Sequence, residues 1–353
     1  MTSSPTSPLV QSATNDFEDL PRPPWVARAR SGELARRARE ARCRLVACDL
    51  CPRRCGVDRL AGETGFCCAG AEVRVASHNR HHGEEPPISG TRGSGTVFLS
   101  HCTMRCVFCQ NFPISQRGGG STVGPEGLAR MLLQLQRRGC HNVNFVTGTH
   151  FVPDILVALD RAAAQGFRLP IVWNTSGYES LETLRLLEGV VDIYLPDIKY
   201  CDDREAARWS RGVGYVEANR AALREMWRQV GDLIVEAEGA KGESITSTST
   251  SRSTIRNTIT DSNTDAGLSE VYESVEERDG APEIARRGMI VRHLVLPTGR
   301  SGTAESLRWL ADNLAPDLHL SLMSQYFPAN RAANMPPLDR PLTAADYEPL
   351  VEL

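Results

Sequence analysis

Two rhythms of hydrophobic and polar positions alternate along the chain. Short apolar runs of strand length lie at 95–100, 142–147, 170–174, 191–196, 289–296 and 318–322. Between them, the segments near 125–138, 153–166, 179–188, 203–230 and 302–314 repeat their apolar residues at helical spacing. Alternation of this kind predicts βαβ units and a parallel sheet, because a parallel strand pair needs a crossover and a helix is the usual one. Six such strands are too few for a closed eight-stranded barrel and enough for an open, partial one. In either arrangement the functional side chains are expected at the carboxyl ends of the strands.

Outside those segments the pattern fades. Residues 1–24 are polar and rich in proline, which predicts a disordered arm, and 25–47 read as one Arg/Ala-rich helix. Residues 243–264 carry 13 Ser or Thr among 22 positions and lead into an acidic stretch from Glu270 to Asp279. A segment so poor in apolar surface cannot offset its ordering entropy, so a disordered insertion is expected at about 239–286. The division expected is an arm and basic helix over 1–40, a cysteine-rich module over 41–92, a catalytic core over 93–330 and a C-terminal tail over 331–353.

Composition narrows the function classes. The chain has 353 residues, 41 % of them hydrophobic, and a formal charge of -3. No apolar run approaches a membrane span, and no global basicity points to a nucleic-acid partner. Between residues 21 and 60 there are eleven arginines against four acids, a bias that a solvated helix face accounts for. Cysteine changes the picture more. Of eleven cysteines, nine lie between residues 43 and 109, leaving Cys140 and Cys201 apart. A secreted disulfide protein would call for a signal peptide, and residues 1–20 lack an apolar core and contain Asp16, Glu18 and Asp19. The expectation is a reducing compartment, the cytoplasm, and cysteines that serve as metal ligands.

Cys102, Cys106 and Cys109, spaced Cys-x3-Cys-x2-Cys, follow directly on the first expected strand. Three thiolates on one loop can hold three corners of an iron-sulfur cube and leave the fourth iron open to a cofactor. Zinc would need a fourth ligand, which His101 can supply. Upstream, Cys48, Cys51, Cys55 and Cys67 place four thiols in a Pro/Gly/Arg-rich segment too irregular to build its own core. Such a segment calls for a metal; a second iron-sulfur cluster and tetrathiolate zinc both suit the spacing. Cys43 and Cys68 are expected to be bystanders.

The triplet, with Phe108 inside it, resembles the signature of the radical S-adenosylmethionine superfamily. The further segments Gln110-Asn111, Thr147 to His150, Trp173 to Tyr178, Asp192 to Tyr200, Arg292 to Pro297 and Met323 to Tyr326 are similar to an uncharacterised group related to pyruvate formate-lyase activating enzyme. The resemblance covers about residues 95–326. It implies an α/β fold with a partial six-stranded (β/α)6 barrel behind the cysteine-rich module. It also implies one 4Fe-4S cluster on Cys102, Cys106 and Cys109, and S-adenosylmethionine as cofactor. An electron donor such as flavodoxin or ferredoxin is implied, and the reaction is reductive cleavage to a 5'-deoxyadenosyl radical that abstracts hydrogen from a substrate.

Within that family the aromatic residue of the triplet, here Phe108, lies near the adenine. Asn174 and Ser176 are candidate contacts to the ribose or methionine moiety. Lys199, two residues from Asp197 and on the same side of an extended segment, is a candidate partner for the methionyl carboxylate. Arg292 and His293 alternate faces, and His293 is the one expected to look inward. Gln325 and Tyr326 end the sixth strand, near the substrate opening or, for Tyr326, in the core. The family's Gly-Gly-Glu at the second strand is replaced here by Thr147, Gly148, Thr149 and His150, which makes His150 a candidate cofactor contact. The substrate, protein or small molecule, is open, with a glycyl radical enzyme as one candidate. The competing reading is a non-catalytic iron-sulfur or zinc protein in electron transfer or assembly.

Overall fold

A computed structural model describes residues 23–238, 255–256 and 282–353. The expected arm, but for its last two residues, and most of the expected insertion lie outside those described residues.

The single helix expected over 25–47 is two, α1 (Pro24–Arg30) and α2 (Glu33–Cys43), because Gly32 between them takes a left-handed φ of 77° that ends the first. Trp25, Leu34, Ala38 and Ala41 bury one side of the pair in the main core. Part of the basic bias is used here: Arg37 donates to the carbonyls of Leu186 (3.0 Å) and Glu188 (2.7 Å) and pairs with Glu33. Residues 44–73 contain no helix or strand.

The strand β1 (Arg74–His81), which the hydrophobic pattern did not announce, runs antiparallel to β2 (Ser94–Leu99), with the short helix α3 (Pro86–Ser89) between them. After α4 (Phe112–Ser115) and the two-residue edge strand β3 (Ser121–Thr122), the alternation follows the sequence closely. It runs α5 (Gly124–Arg137), β4 (Val143–Val146), α6 (Val152–Ala164), β5 (Ile171–Thr175), α7 (Leu181–Leu187) and β6 (Ile193–Pro196). The helix expected over 203–230 is divided into α8 (Asp203–Ser210) and α9 (Tyr215–Val230), because Arg211 and Gly214 both adopt left-handed backbone. Beyond it lie β7 (Ile234–Ala237), β8 (Ile255–Arg256) and β9 (Glu283–Met289), the last beginning inside the range assigned to the insertion. The chain closes with β10 (Val291–Leu294), α10 (Thr303–Asn313), β11 (Leu320–Met323) and α11 (Ala344–Val351).

These strands form a mostly parallel α/β arrangement. The larger sheet has the order β3-β1-β2-β4-β5-β6-β9-β7, with β2, β4, β5, β6 and β9 parallel. A smaller parallel sheet has the order β10-β11-β8. The two are tied where Asp197 bridges to Arg292 and the Ile198 N–H donates to the Arg292 carbonyl at 2.8 Å. Alternate residues divide the faces. Val97, Val143, Phe145, Ile171, Trp173, Tyr194 and Val291 pack into the core shared with the helices. The register sets Thr96, Asn144, Val172, Asn174, Ile193 and Leu195 on the other, inner face. Ile88 of α3 packs on that face with Val172, Ile193, Leu195 and Ile290, in the same rows as the polar residues Thr96, Asn144 and Asn174.

Candidate iron-sulfur and cofactor site

The triplet loop leaves β2 through His101, whose φ of 72° is left-handed and whose N–H donates to Ile114 O at 3.1 Å. Backbone bonds then pin the loop: Arg105 N–H to Ser210 O (3.1 Å), Val107 N–H to Trp209 O (2.7 Å) and Ala332 N–H to Val107 O (3.0 Å). Each sulfur has a polar neighbour. The Met104 N–H points at Cys102 Sγ (3.3 Å), the Ser210 hydroxyl at Cys106 Sγ (3.0 Å), and Ser115 Oγ lies 3.2 Å from Cys109 Sγ. Burial, reinforced by the neighbouring Cys106, pushes the Cys102 thiol well above its ordinary value; burial likewise raises Cys106, against the pull of Lys199. Thiols in such surroundings ionise in exchange for a metal.

Among the described residues no three Cys, His, Asp or Glu side chains converge as the ligand set of a single ion. A cubane asks for something looser, since each thiolate meets its own iron. Three half-buried thiols on one loop, each facing a group that can hydrogen-bond to a thiolate, fit that demand.

Beside the loop, the ends of β5, β6 and β10 carry one charged network. Asp197 receives Lys199 Nζ at 2.5 Å and Arg292 Nε at 3.1 Å, and Arg292 also donates to Asn174 Oδ1 at 2.5 Å. Glu84, from the segment before α3, lies 3.8 Å from the same guanidinium. Burial works against the Asp197 charge, but Lys199 and Arg292 outweigh it and hold the carboxyl below its ordinary value. Lys199 is held protonated in the same way, with Asp197 and the Cys106 sulfur overcoming its burial. Two positions before Asn174 in the sheet register, Thr96 Oγ1 and both amide atoms of Asn144 are buried without a hydrogen-bond partner among the described residues, as is Glu85 Oε2 at the start of α3. Orphaned polar atoms at such a place suit a polar ligand, because each otherwise costs on the order of 1–3 kcal/mol.

The structure sorts the expected contacts. Asn174 and Lys199 sit in the network, and Ser176 follows β5 with its carbonyl held by the Tyr215 hydroxyl at 2.9 Å. Phe108 is buried against Tyr326, ring centroids 5.8 Å apart, in an aromatic cluster beneath the triplet. Tyr326 donates to Leu338 O at 2.6 Å and belongs to that core. Gln325 meets Gln110 instead, its carbonyl accepting from Gln110 Nε2 at 3.3 Å. The expectation for β10 is reversed. His293 is buried, with Nδ1 2.6 Å from Ile198 O and Nε2 2.9 Å from Thr303 Oγ1, so both ring nitrogens are occupied away from the network, whereas Arg292 enters it. An alternating strand can turn only one of them inward, and the Asp197 carboxylate selects the guanidinium. His150 also faces elsewhere: its Nε2 donates to Ser100 O at 2.8 Å, and the ring lines a cavity among the upstream cysteines.

Several positioning residues carry no spacing signal. Tyr215 and Asn219 at the start of α9 knit β5 to β6: the Tyr215 hydroxyl accepts from Lys199 N–H (3.0 Å), and Asn219 Nδ2 donates to the carbonyls of Asp197 (2.9 Å) and Gly177 (3.2 Å). Gly177 is obligatory at that crossing. Its φ is 71°, and a Cβ there would lie 2.3 Å from Asp197 O. Buried Glu179 gathers the hydroxyls of Thr149 (2.6 Å) and Thr175 (2.5 Å), and so ties the substituted second strand end to the third.

The mostly parallel sheet thus carries three thiols beyond one strand and a charged network at the neighbouring ones. Residues 96–236 match the model of the Radical SAM superfamily, and the chain carries a domain of that superfamily there. Over 177 residues the chain is also 34 % identical to an uncharacterised protein of Methanocaldococcus jannaschii, covering 48 % of this chain and 50 % of that protein. The chain thus spans about half the length of this curated relative. Among the described residues no helix is long and apolar enough to cross a membrane.

Proposed function

We propose that the protein is a radical S-adenosylmethionine enzyme built on a partial six-stranded barrel, in which Cys102, Cys106 and Cys109 hold the cluster and the ends of β5, β6 and β10 hold the cofactor. The single observation that carries this reading is the Asp197, Lys199, Arg292 and Asn174 network beside three half-buried thiols. When bound, cluster and cofactor supply reductive cleavage of a sulfonium and hydrogen-atom abstraction from a substrate.

The residues of this chain do the positioning. Lys199 has three donors and gives one to Asp197, which leaves two for a methionyl carboxylate. Asn174 spends its oxygen on Arg292 and keeps its amide nitrogen for a cofactor oxygen. Asp197 fixes both cations, while Tyr215 and Asn219 fix the backbone that carries them. Phe108 and the aromatic cluster around it exclude water from the triplet's inner side.

The substrate is a separate molecule, and hydrogen abstraction in the manner of an activating enzyme, from a glycyl radical enzyme, is the leading candidate. A cytoplasmic setting and a flavodoxin- or ferredoxin-class donor go with it. The test is product formation: anaerobically reconstituted, reduced protein given S-adenosylmethionine should release 5'-deoxyadenosine. None above background, with an intact and reduced cluster, would overturn the proposal.

A further inference from the structure

Four thiols outside the site described above line one small enclosed cavity: Cys48, Cys51, Cys55 and Cys67, joined by Arg59 and His150. Two features of its wall call for an occupant. The first is His150, which is 2 % exposed. Its Nε2 must carry the proton, because the Ser100 carbonyl it meets at 2.8 Å only accepts, so Nδ1 presents a lone pair. That Nδ1 is buried with no hydrogen-bond partner among the described residues, which makes it a nitrogen donor beside the four sulfurs and an alternative to one of them as a metal ligand.

The second is Arg59, also 2 % exposed. It donates to the carbonyls of Gly70 (3.1 Å from Nε) and His150 (2.8 Å), and its third contact is Cys48 Sγ at 3.7 Å. Among the described residues no carboxylate lies within ion-pair distance of it. A guanidinium buried on these terms is costly unless negative charge is supplied nearby.

The surrounding chain is shaped around the thiols without regular secondary structure. Cys48 exchanges backbone bonds with the turn that follows, its N–H donating to Val57 O at 2.9 Å and its carbonyl accepting from Gly56 N–H at 3.0 Å. Gly65 passes so close to Cys55 that a Cβ there would lie 2.8 Å from the sulfur.

We propose that Cys48, Cys51, Cys55 and Cys67 hold a second iron-sulfur cluster of the four-iron class. The four sulfurs border a common cavity, so that each is available to one iron of a cubane; a tetrathiolate zinc is the alternative that metal analysis separates. A cluster with four thiolates is an anion, and it adds negative charge directly beside Arg59, whose interaction with the Asp154 carboxylate is at longer range. The two cysteine groups also share a wall. Arg53 lies over the Phe66 ring, 3.3 Å from its centroid, and donates to Thr103 O in the triplet loop at 2.5 Å; Arg105 of that loop donates to Phe66 O at 3.0 Å. The proposal does not depend on cleavage of S-adenosylmethionine.

Metal analysis of the full-length chain decides it. The variant with Cys102, Cys106 and Cys109 all changed to Ala, reconstituted anaerobically, should retain about four irons and about four sulfides per chain, with no zinc, against about eight irons in the unaltered protein. In the reduced unaltered protein, S-adenosylmethionine should perturb only one of two paramagnetic signals. Retention of one zinc without sulfide, or of no metal by a folded triple variant, overturns the proposal. Should that variant fail to fold, a total of about four irons in the unaltered protein overturns it instead. A retained cluster in a protein that releases no 5'-deoxyadenosine leaves this second site standing while the proposed function falls.

Discussion

Asp197 decides which side chains reach the cofactor site. Among the described residues it is the one carboxylate that contacts both Lys199 and Arg292, and it is more than nine-tenths buried. Replacing it by Ala strands two poorly solvated cations, which costs more than never having buried the pair. We predict that Asp197→Ala lowers unfolding stability by about 3 kcal/mol and weakens S-adenosylmethionine binding, as read by urea titration and equilibrium binding. A variant of unchanged stability would show that solvent or another group neutralises the cations. The reversal at β10 belongs to the same scale. Alternation showed that only one of Arg292 and His293 faces the site, but the choice depends on Asp197, which lies 95 positions away in sequence and reaches Arg292 only through strand pairing.

At the scale of elements, the sequence announced whatever depends on local periodicity. The six apolar runs are strands, and the five amphipathic segments are helical, with breaks at Arg211 and Gly214 where left-handed backbone interrupts one of them. The strand β1 was hidden because only Val75 along it is buried; it is an outer strand whose place comes from pairing with β2. Tyr215 and Asn219 were hidden for a related reason: on an amphipathic helix they look like ordinary core-facing residues, and only the fold brings them over the ends of β5 and β6. That junction is tight enough to predict a glycine effect. Gly177→Ala must accept a left-handed φ and push against Asp197 O, and should destabilise the protein by at least about 2 kcal/mol. Thermal unfolding at one pH measures it, and an unchanged midpoint would mean that β5 and α9 are not packed this closely.

For the whole molecule, buried His293 couples stability to acid. Burial lowers its pKa to about 4 from an ordinary 6.5, despite the hydrogen bond to Ile198. The unfolded chain therefore binds a proton below pH 6.5 that the folded chain refuses until about pH 4, so stability is full above 6.5 and declines as pH falls between these values. The thermal midpoint should drop less steeply from pH 7 to 5 in His293→Gln than in the unaltered protein; equal slopes would place the acid sensitivity elsewhere. The architecture as a whole brings three thiols, one lysine and one arginine from separate strands to one place, where we propose that S-adenosylmethionine is cleaved. Yield of 5'-deoxyadenosine per reduced cluster, compared between the unaltered protein and Cys106→Ala, tests it most directly. Release by the first and none above background by the second is expected; equal release by both would contradict cleavage at this site.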